Sequence, residues 1–564
     1  MKADSRRLAV ARGEQPADLV VAGGKVLSVF TREWIDADIA IADGHVVAVG
    51  PGYSGLQTID ASGAWVAPGL IDAHVHIESS KLMVDEFARA VLPQGTTAVV
   101  ADPHELANVL GMEGIQWLLA VTERLPLDVF VMASSCVPAS RFESPRGPLT
   151  VGQMATLLEH PRVLGVAEMM NFPGVIAGDE EELAKAALSG RLDGHAPGLR
   201  GRELNAYIAA GIRTDHEATT YEEALEKRRL GMGVLIREAS IARNLVDLLP
   251  LVKRHGPDHC CFCTDDREPN FIAEEGHLNQ MVRVAVANGI RPEDALTMAS
   301  HNAARQHGLH DHGAIAPGYL ADLMILDDLE AFRPRQVLKR GLPAGEVPRI
   351  PIPDWVRGSM NAAPVTAASF RVTGSGRKIR VIRVIPSQLL TRAVTMEPSV
   401  GIGGDLVADP GRDLVKIAVV ERHHATGRVG LGFATDVGLR RGAFASTVAH
   451  DAHNVVVLGV DDASMAACVT RLGEIGGGIA IADGGTILAE LPLPVAGLMS
   501  DRPLAEVHQR LTAMERMLLD MGVRMRAPFM TLSFLSLSVI PDLKITDRGL
   551  VDVGAFRLVP LEVD

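Results

Sequence analysis

The feature that most constrains this chain is a repeat in its middle. Between about residues 70 and 305, short aliphatic runs alternate with longer helical stretches, and almost every run ends on a polar or charged residue. The runs are LIDAHVH, TTAVVAD, LDVFVMAS, VLGVAEMM, LDGHAP, IRTDHE, GVLIRE and CCFCTDD. Patterns such as MEGIQWLLAVTERL and EEELAKAALSGR lie between them. Fully apolar strands of four to eight residues, each followed by a helix, predict parallel strands covered on both faces. Eight such units predict a (β/α)₈ barrel, whose reactive groups gather at the C-terminal strand ends. A doubly wound sheet is the alternative, but it does not call for eight units with polar ends.

The flanks differ in texture. Residues 1–68 read as short strands broken by Gly-Gly, Asp-Gly and Ser-Gly turns, and residues 304–360 return to the same pattern. Together they predict one β-sandwich fed by both ends of the barrel at 69–303. Prolines between 343 and 353 predict the exit linker. The remainder, 361–564, mixes strands such as KIAVVER and NVVVLGV with helices and predicts a separate C-terminal α+β domain. Its Gly476-Gly477-Gly478 cluster lacks the Gly-Lys-Ser/Thr of a phosphate loop and is read as a turn.

Composition narrows the class. With 47% hydrophobic and 22% charged residues the chain can bury large cores, and with 4% aromatics those cores must be aliphatic. A net charge of -14 argues against nucleic-acid and acidic-membrane partners. No apolar run approaches the roughly 18 residues of a spanning helix, and the first residues lack the apolar core of a signal peptide. Five cysteines, three of them crowded at Cys260, Cys261 and Cys263, argue against a disulfide framework. The expected compartment is the cytoplasm. The charge sets no limit on assembly, and a homo-oligomer stays open.

His74 and His76, two residues apart on a strand, point to one face. Glu168, His195, His216 and Asp265 end the fourth, fifth, sixth and eighth strands. Four imidazoles and two carboxylates so arranged can hold two divalent ions about 3.5–4 Å apart, with Glu168 bridging through its two oxygens. Asp102, His104 and Glu105 close the second strand. Asp102 and His104 are expected to face the metal pocket, tuning the nucleophile or handling protons, with His104 a further candidate ligand; a simple strand-end turn is the alternative. Glu217 and Glu238 are candidates to donate a proton or to hydrogen-bond the substrate, unless they only pair with Arg213 and Arg237. Arg237 and Ser240 are candidate substrate contacts, and Asp266 and Arg267 lie on the loop expected to cover the pocket. Elsewhere, His450, Asp451 and His453 have ligand types at close spacing, but hydrogen bonding at a domain or subunit interface is the favoured reading, and His423-His424 is weaker still. Met514, Met517 and Met521 have helical spacing and are read as core.

PGLIDAHVHIESS, VADPHE, AEMMNFPGV, DGHAPGL and RTDHE, with VAHDAHN, LPLPVAGLMS and APFMTLSFL, together resemble the adenine deaminase family of the amidohydrolase superfamily. The first motif alone specifies only the superfamily. The resemblance implies His74 and His76 on one metal, His195 and His216 on the other, Glu168 between them and Asp265 beside the nucleophile. It implies hydrolytic deamination of adenine to hypoxanthine and ammonia, with Mn or Fe favoured and Zn also compatible with mixed imidazole and carboxylate ligands. The catalytic set expected is Asp265, Glu168, Asp102, Glu105 and Glu238. Hydantoinase-like relatives bridge their metals with a carboxylated lysine, so Glu168 argues against a ring-amide hydrolase. The rival readings are an amidohydrolase for another aminated heterocycle or cyclic amide, and a metal-poor barrel scaffold that does no chemistry.

Overall fold

The computed structural model describes residues 4–563. It opens on a short helix, Ser5–Ala11, where the sequence reading expected only strands. Asp4 caps it, its side chain accepting from the backbone of Arg6 and Arg7. Five strands follow: β1 (Ala17–Ser28), β2 (Glu33–Ala42), β3 (His45–Gly50), β4 (Gly55–Asp60) and β5 (Trp65–Pro68).

The next eight strands are short and almost wholly buried. They are β6 (Leu70–Val75), β7 (Thr96–Ala101), β8 (Asp128–Ala133), β9 (Val163–Met169), β10 (Leu192–Gly194), β11 (Thr214–Asp215), β12 (Gly233–Arg237) and β13 (Cys260–Cys263). They pair in parallel, in the order β10-β9-β8-β7-β6 and β11-β12-β13. Two sets of hydrogen bonds join these groups into a curled sheet. The Arg213 amide donates to Leu192 O at 3.2 Å. At the other side the Asp265 amide donates to His74 O at 3.0 Å, and the His76 amide to Asp265 O at 3.3 Å. Burial on both faces explains why these segments read as continuous aliphatic runs and not as alternating ones. The arrangement is α/β and of TIM-barrel type.

Two glycines are required by close approach. A Cβ on Gly69 would lie 2.2 Å from Thr97 Oγ1, so only glycine lets β6 start against β7. A Cβ on Gly194, the residue before His195, would meet Thr214 O at 2.3 Å.

After the curled sheet come β14 (Leu323–Leu326), β15 (Pro334–Lys339) and β16 (Leu342–Pro343). These join the first strands in one sheet, ordered β16-β15-β14-β5-β1-β2-β3, with β4 beside β1. The junction is the antiparallel pairing of β14 with β5, Leu323 opposite Pro68. Both flanks therefore meet, as their shared texture suggests.

Beyond residue 370 a second eight-stranded sheet runs through segments between 379 and 492. It is covered by the helix Asp462–Glu474, which buries Met465, Cys468, Val469 and Leu472. The helix Leu504–Asp520 buries Met514, and Met521 at its end is buried too, as expected of core methionines, while Met517 is half-buried against the same core. All five cysteines are free and buried, Cys260, Cys261 and Cys263 within β13. No helix among the described residues is long and apolar enough to cross a membrane.

Candidate metal centre

The C-terminal ends of the curled sheet carry the expected residues to one point. His74 and His76 leave β6 on the same face, and their Nε2 atoms lie 3.1 Å apart. Glu168, near the end of β9, sits among the imidazoles with its oxygens divided. Oε1 is 3.6 Å from His74 Nε2 and 3.3 Å from His76 Nε2. Oε2 is 2.7 Å from His195 Nδ1 and 3.3 Å from His216 Nε2. Asp265 Oδ1 is 3.2 Å from His76 Nε2 and 3.7 Å from His74 Nε2. All six side chains are buried.

The chemistry of this donor set fits divalent cations. His76 Nδ1 lies 2.9 Å from Asp102 O, an acceptor, so Nδ1 carries the proton and Nε2 presents a lone pair. That lone pair faces two carboxylate oxygens and a second imidazole nitrogen, which repel it unless a cation lies between them. Glu168 Oε1 and His195 Nε2 are buried without any hydrogen-bond partner, a costly arrangement unless a bound group satisfies them. Ligand atoms of His74, His76 and Glu168 lie within 4.8 Å of one another, as do those of His74, His216 and Asp265.

Arg237 supplies a fixed positive charge beside this set. Its Nη1 donates to Asp265 Oδ2 at 2.9 Å, and the same guanidinium holds Glu217. Burial alone would push the Asp265 carboxyl up, but the nearby His76 ring and the charge of Arg237 hold it well below the usual range. The Glu168 carboxyl is likewise held low against burial by the surrounding His104, His195, His216 and His76 rings. The ion pairs expected for the two glutamates are rearranged. Glu217 pairs with Arg237 and not with Arg213. Glu238 pairs with Arg243, at 2.6 Å, and not with Arg237. Arg213 instead donates to Ile208 O. Glu238 does not line the pocket that holds the candidate metal ligands, because Arg243 and the Leu245 amide draw its carboxylate aside.

The second strand's residues stand in layers. Asp102 accepts from Ser134 Oγ at 2.5 Å and lies 3.2 Å from His104 Nδ1. Asp102 therefore orients His104, whose ring lies 4.4 Å from that of His76 and lines the pocket. Glu105 is one layer out, with Oε1 2.7 Å from Ser79 Oγ and Oε2 3.5 Å from His453 Nε2. Asp266 lines the pocket, but Arg267 does not cover it. The Arg267 guanidinium turns inward, donating to Gly276 O and Glu238 O. Ser240 Oγ accepts from the Glu268 amide.

The rest of the pocket comes from far along the chain. Leu389, His450, Asp451, Phe534 and Leu537 line it together with Met170 and the candidate metal ligands. The interface reading of residues 450–453 is therefore incomplete, since His450 and Asp451 face the pocket itself. A metal on His453 is disfavoured. Its Nδ1 accepts from the Ala449 amide at 3.1 Å, so Nε2 carries the proton and has no lone pair to offer. The long loop after β8 holds this segment down. Glu143 Oε2 accepts from the Ala452 amide, Ser144 bonds Asp547, and Asn454 Nδ2 donates to Ser144 O.

The amidohydrolase family pattern matches residues 65–347, and the adenine deaminase C-terminal domain matches residues 388–557. A protein named adenine deaminase from Desulfatibacillum aliphaticivorans is 46% identical over 99% of both chains. Another so named from Cereibacter sphaeroides (strain ATCC 17025 / ATH 2.4.3) is 48% identical over 97% of this chain and 98% of its own. The chain belongs to the adenine deaminase family. A further relative, adenine deaminase 2 of Carboxydothermus hydrogenoformans (strain ATCC BAA-161 / DSM 6008 / Z-2901), is 45% identical over 98% of each chain. Likeness over nearly the whole length takes in both the half that carries the candidate metal ligands and the half that supplies the rest of the pocket lining.

Leu389 and Leu537 were not singled out from sequence, and Phe534 entered only as part of the family stretch APFMTLSFL. Apolar residues at unremarkable spacing carry no local signal of a pocket wall.

Proposed function

We propose that this chain hydrolyses adenine to hypoxanthine and ammonia at a binuclear metal centre. The reading rests on one observation: the two oxygens of Glu168 divide between the His74/His76 pair and the His195/His216 pair in a buried, partly apolar pocket. The (β/α)₈ barrel is assigned to 69–303, the flanking β-sandwich to 1–68 and 304–360, and the C-terminal α+β domain to 361–564. His74 and His76 would hold one cation and His195 and His216 the other, with Glu168 shared and Asp265 alongside. Mn or Fe is favoured over Zn on family grounds. When bound, the cations supply the Lewis acidity that makes water a usable nucleophile near neutral pH.

The protein's own groups handle the protons. Water adds at the ring carbon bearing the amine; a C–O bond forms, the C–N bond breaks, and the nitrogen departs as ammonia. Asp265 takes the water proton at Oδ1, because Oδ2 is engaged by Arg237, and delivers it to the leaving amine. The second water proton ends on the adjacent ring nitrogen, while His104, oriented by Asp102 at Nδ1, stands with Nε2 3.5 Å from Asp451 Oδ1 and tunes this layer. Glu105 supports this layer through Ser79. We give Glu238 no part in the transfer, since Arg243 holds it. The setting assigned is the cytoplasm, with adenine as the small-molecule partner.

The test is ammonia release from adenine by protein loaded separately with Mn, Fe and Zn. Adenine is expected to exceed adenosine in kcat/KM; equal or better use of adenosine, or of a cyclic amide, would overturn the assignment.

A further inference from the structure

Asp451 is a buried carboxylate with both oxygens lacking a hydrogen-bond partner. Its nearest cationic neighbours stand beyond hydrogen-bond length: His104 Nε2 at 3.5 Å and His450 Nδ1 at 3.6 Å, both from Oδ1. An anion held in the interior without donors is expensive, and chains keep one where a ligand supplies the missing donor. The backbone is fixed around it. The amides of Asp451 and Ala452 approach Glu143 Oε2 at 3.4 and 3.2 Å, and Ser536 Oγ donates to His450 O at 2.9 Å. Asp451 is thus presented to the pocket rigidly, and nothing in its own loop satisfies it.

Its surroundings describe the ligand. Phe534, Leu537, Leu389 and Met170 give the pocket apolar side chains, and the candidate metal ligands share its lining. Phe534 lies parallel to His450, with ring centroids 4.4 Å apart, which holds both rings in place. A group that fits such walls and also carries an N–H for a carboxylate is a purine base with its imidazole nitrogen unsubstituted. A nucleoside has lost that proton to the sugar.

We propose that Asp451, with Phe534 and Leu537, forms the purine-base subsite, and that its carboxylate accepts the imidazole-ring N–H that distinguishes a free base from its nucleoside. This rests on the reading of the site given above and deepens it by naming the residue that selects the base. The selecting side chain comes from the C-terminal part of the chain, far in sequence from every metal ligand.

The experiment measures binding and not turnover, so the two readings fail separately. Metal-loaded full-length protein is titrated calorimetrically with hypoxanthine and with 9-methylhypoxanthine, which lacks the imidazole N–H. The unaltered protein is expected to bind hypoxanthine at least about 30-fold more tightly. In D451A that ratio should fall to within a few fold, with metal content and melting temperature unchanged. D451N keeps the shape and an acceptor oxygen but loses the charge, and should lower the ratio about tenfold; it also serves if D451A does not fold. A ratio unchanged in either folded variant, or no preference in the unaltered protein, would overturn the assignment. Failure to release ammonia from adenine, with the binding ratios as expected, would overturn the proposed reaction and leave Asp451 as the base-selecting residue.

Discussion

At the scale of single residues the site depends on carboxylates that face nitrogen lone pairs and so need cations between them. Glu168 is the most exposed to this logic, because each of its oxygens faces a different histidine pair. Glu168→Gln keeps the shape but replaces one oxygen with a donor that cannot ligate. Metal content should fall from two ions per chain toward one or none, and turnover should drop by roughly 1,000-fold or more. Elemental analysis with an adenine assay checks this, and two retained metals with full activity would remove Glu168 from the bridge. The six ligand types and their strand-end positions were readable in advance, because alternation along a strand puts His74 and His76 on one face whatever surrounds them. The ion pairs were not. Arg237 serves Glu217 and Asp265, while Arg243 takes Glu238, because the ends of three neighbouring strands converge there and proximity in space replaces proximity in sequence.

At the scale of elements, a buried charge cluster joins the start of β8 to the flanking sheet. His312 lies 2.7 Å from Asp311 and 3.2 Å from Asp128, while Lys339 of β15 bonds both Asp128 and Asp322. Burial alone would lower the His312 pKa, but the hydrogen bonds with Asp128 and Asp311 raise it to about 9. A folded value above the ordinary 6.5 means stability that is fully present below about pH 6.5 and lost as pH rises through about 9. The contribution is at most about 3 kcal/mol. His312→Gln should remove this pH dependence, so urea unfolding at pH 6 and pH 9.5 should differ less in the variant than in the unaltered chain. Equal slopes in the two proteins would show that the cluster is not linked to folding. The elements themselves were largely legible, since parallel strands buried on both faces leave an unmistakable aliphatic run. The first helix, Ser5–Ala11, was missed because seven residues carry too little periodicity to stand out beside the strands that follow.

At the scale of the molecule, apolar packing does not respect the division between the curled sheet and the C-terminal region. One cluster of buried side chains runs from Phe87 and Leu106 through Val448 and Leu498 to Phe529 and Leu532. A chain ending at residue 360 would expose that surface to water and lose Leu389, Asp451, Phe534 and Leu537 from the pocket. It should aggregate, or, if it stays in solution with its metals, deaminate adenine at a rate lower by roughly 100-fold for want of a closed site. A soluble truncated chain with two metals and the full rate would show that the C-terminal region takes no part in the chemistry.

The candidate metal ligands, the parallel architecture and the family were legible in the sequence alone, because each is encoded locally: strand alternation, apolar runs and contiguous motifs. The stretches VAHDAHN and APFMTLSFL also stood out, but only as family signatures. Their place over the metal centre was decided by the tertiary structure. The loop after β8 draws residues 450–454 and 546–547 onto the mouth of the curled sheet through Glu143, Ser144 and Phe142. Those bonds join residues some 300 to 400 positions apart, a separation at which no spacing rule applies. Whether Asp451 is an interface residue or a wall of the active site therefore depended on how two distant parts of the chain pack, and on the buried surface that holds them together.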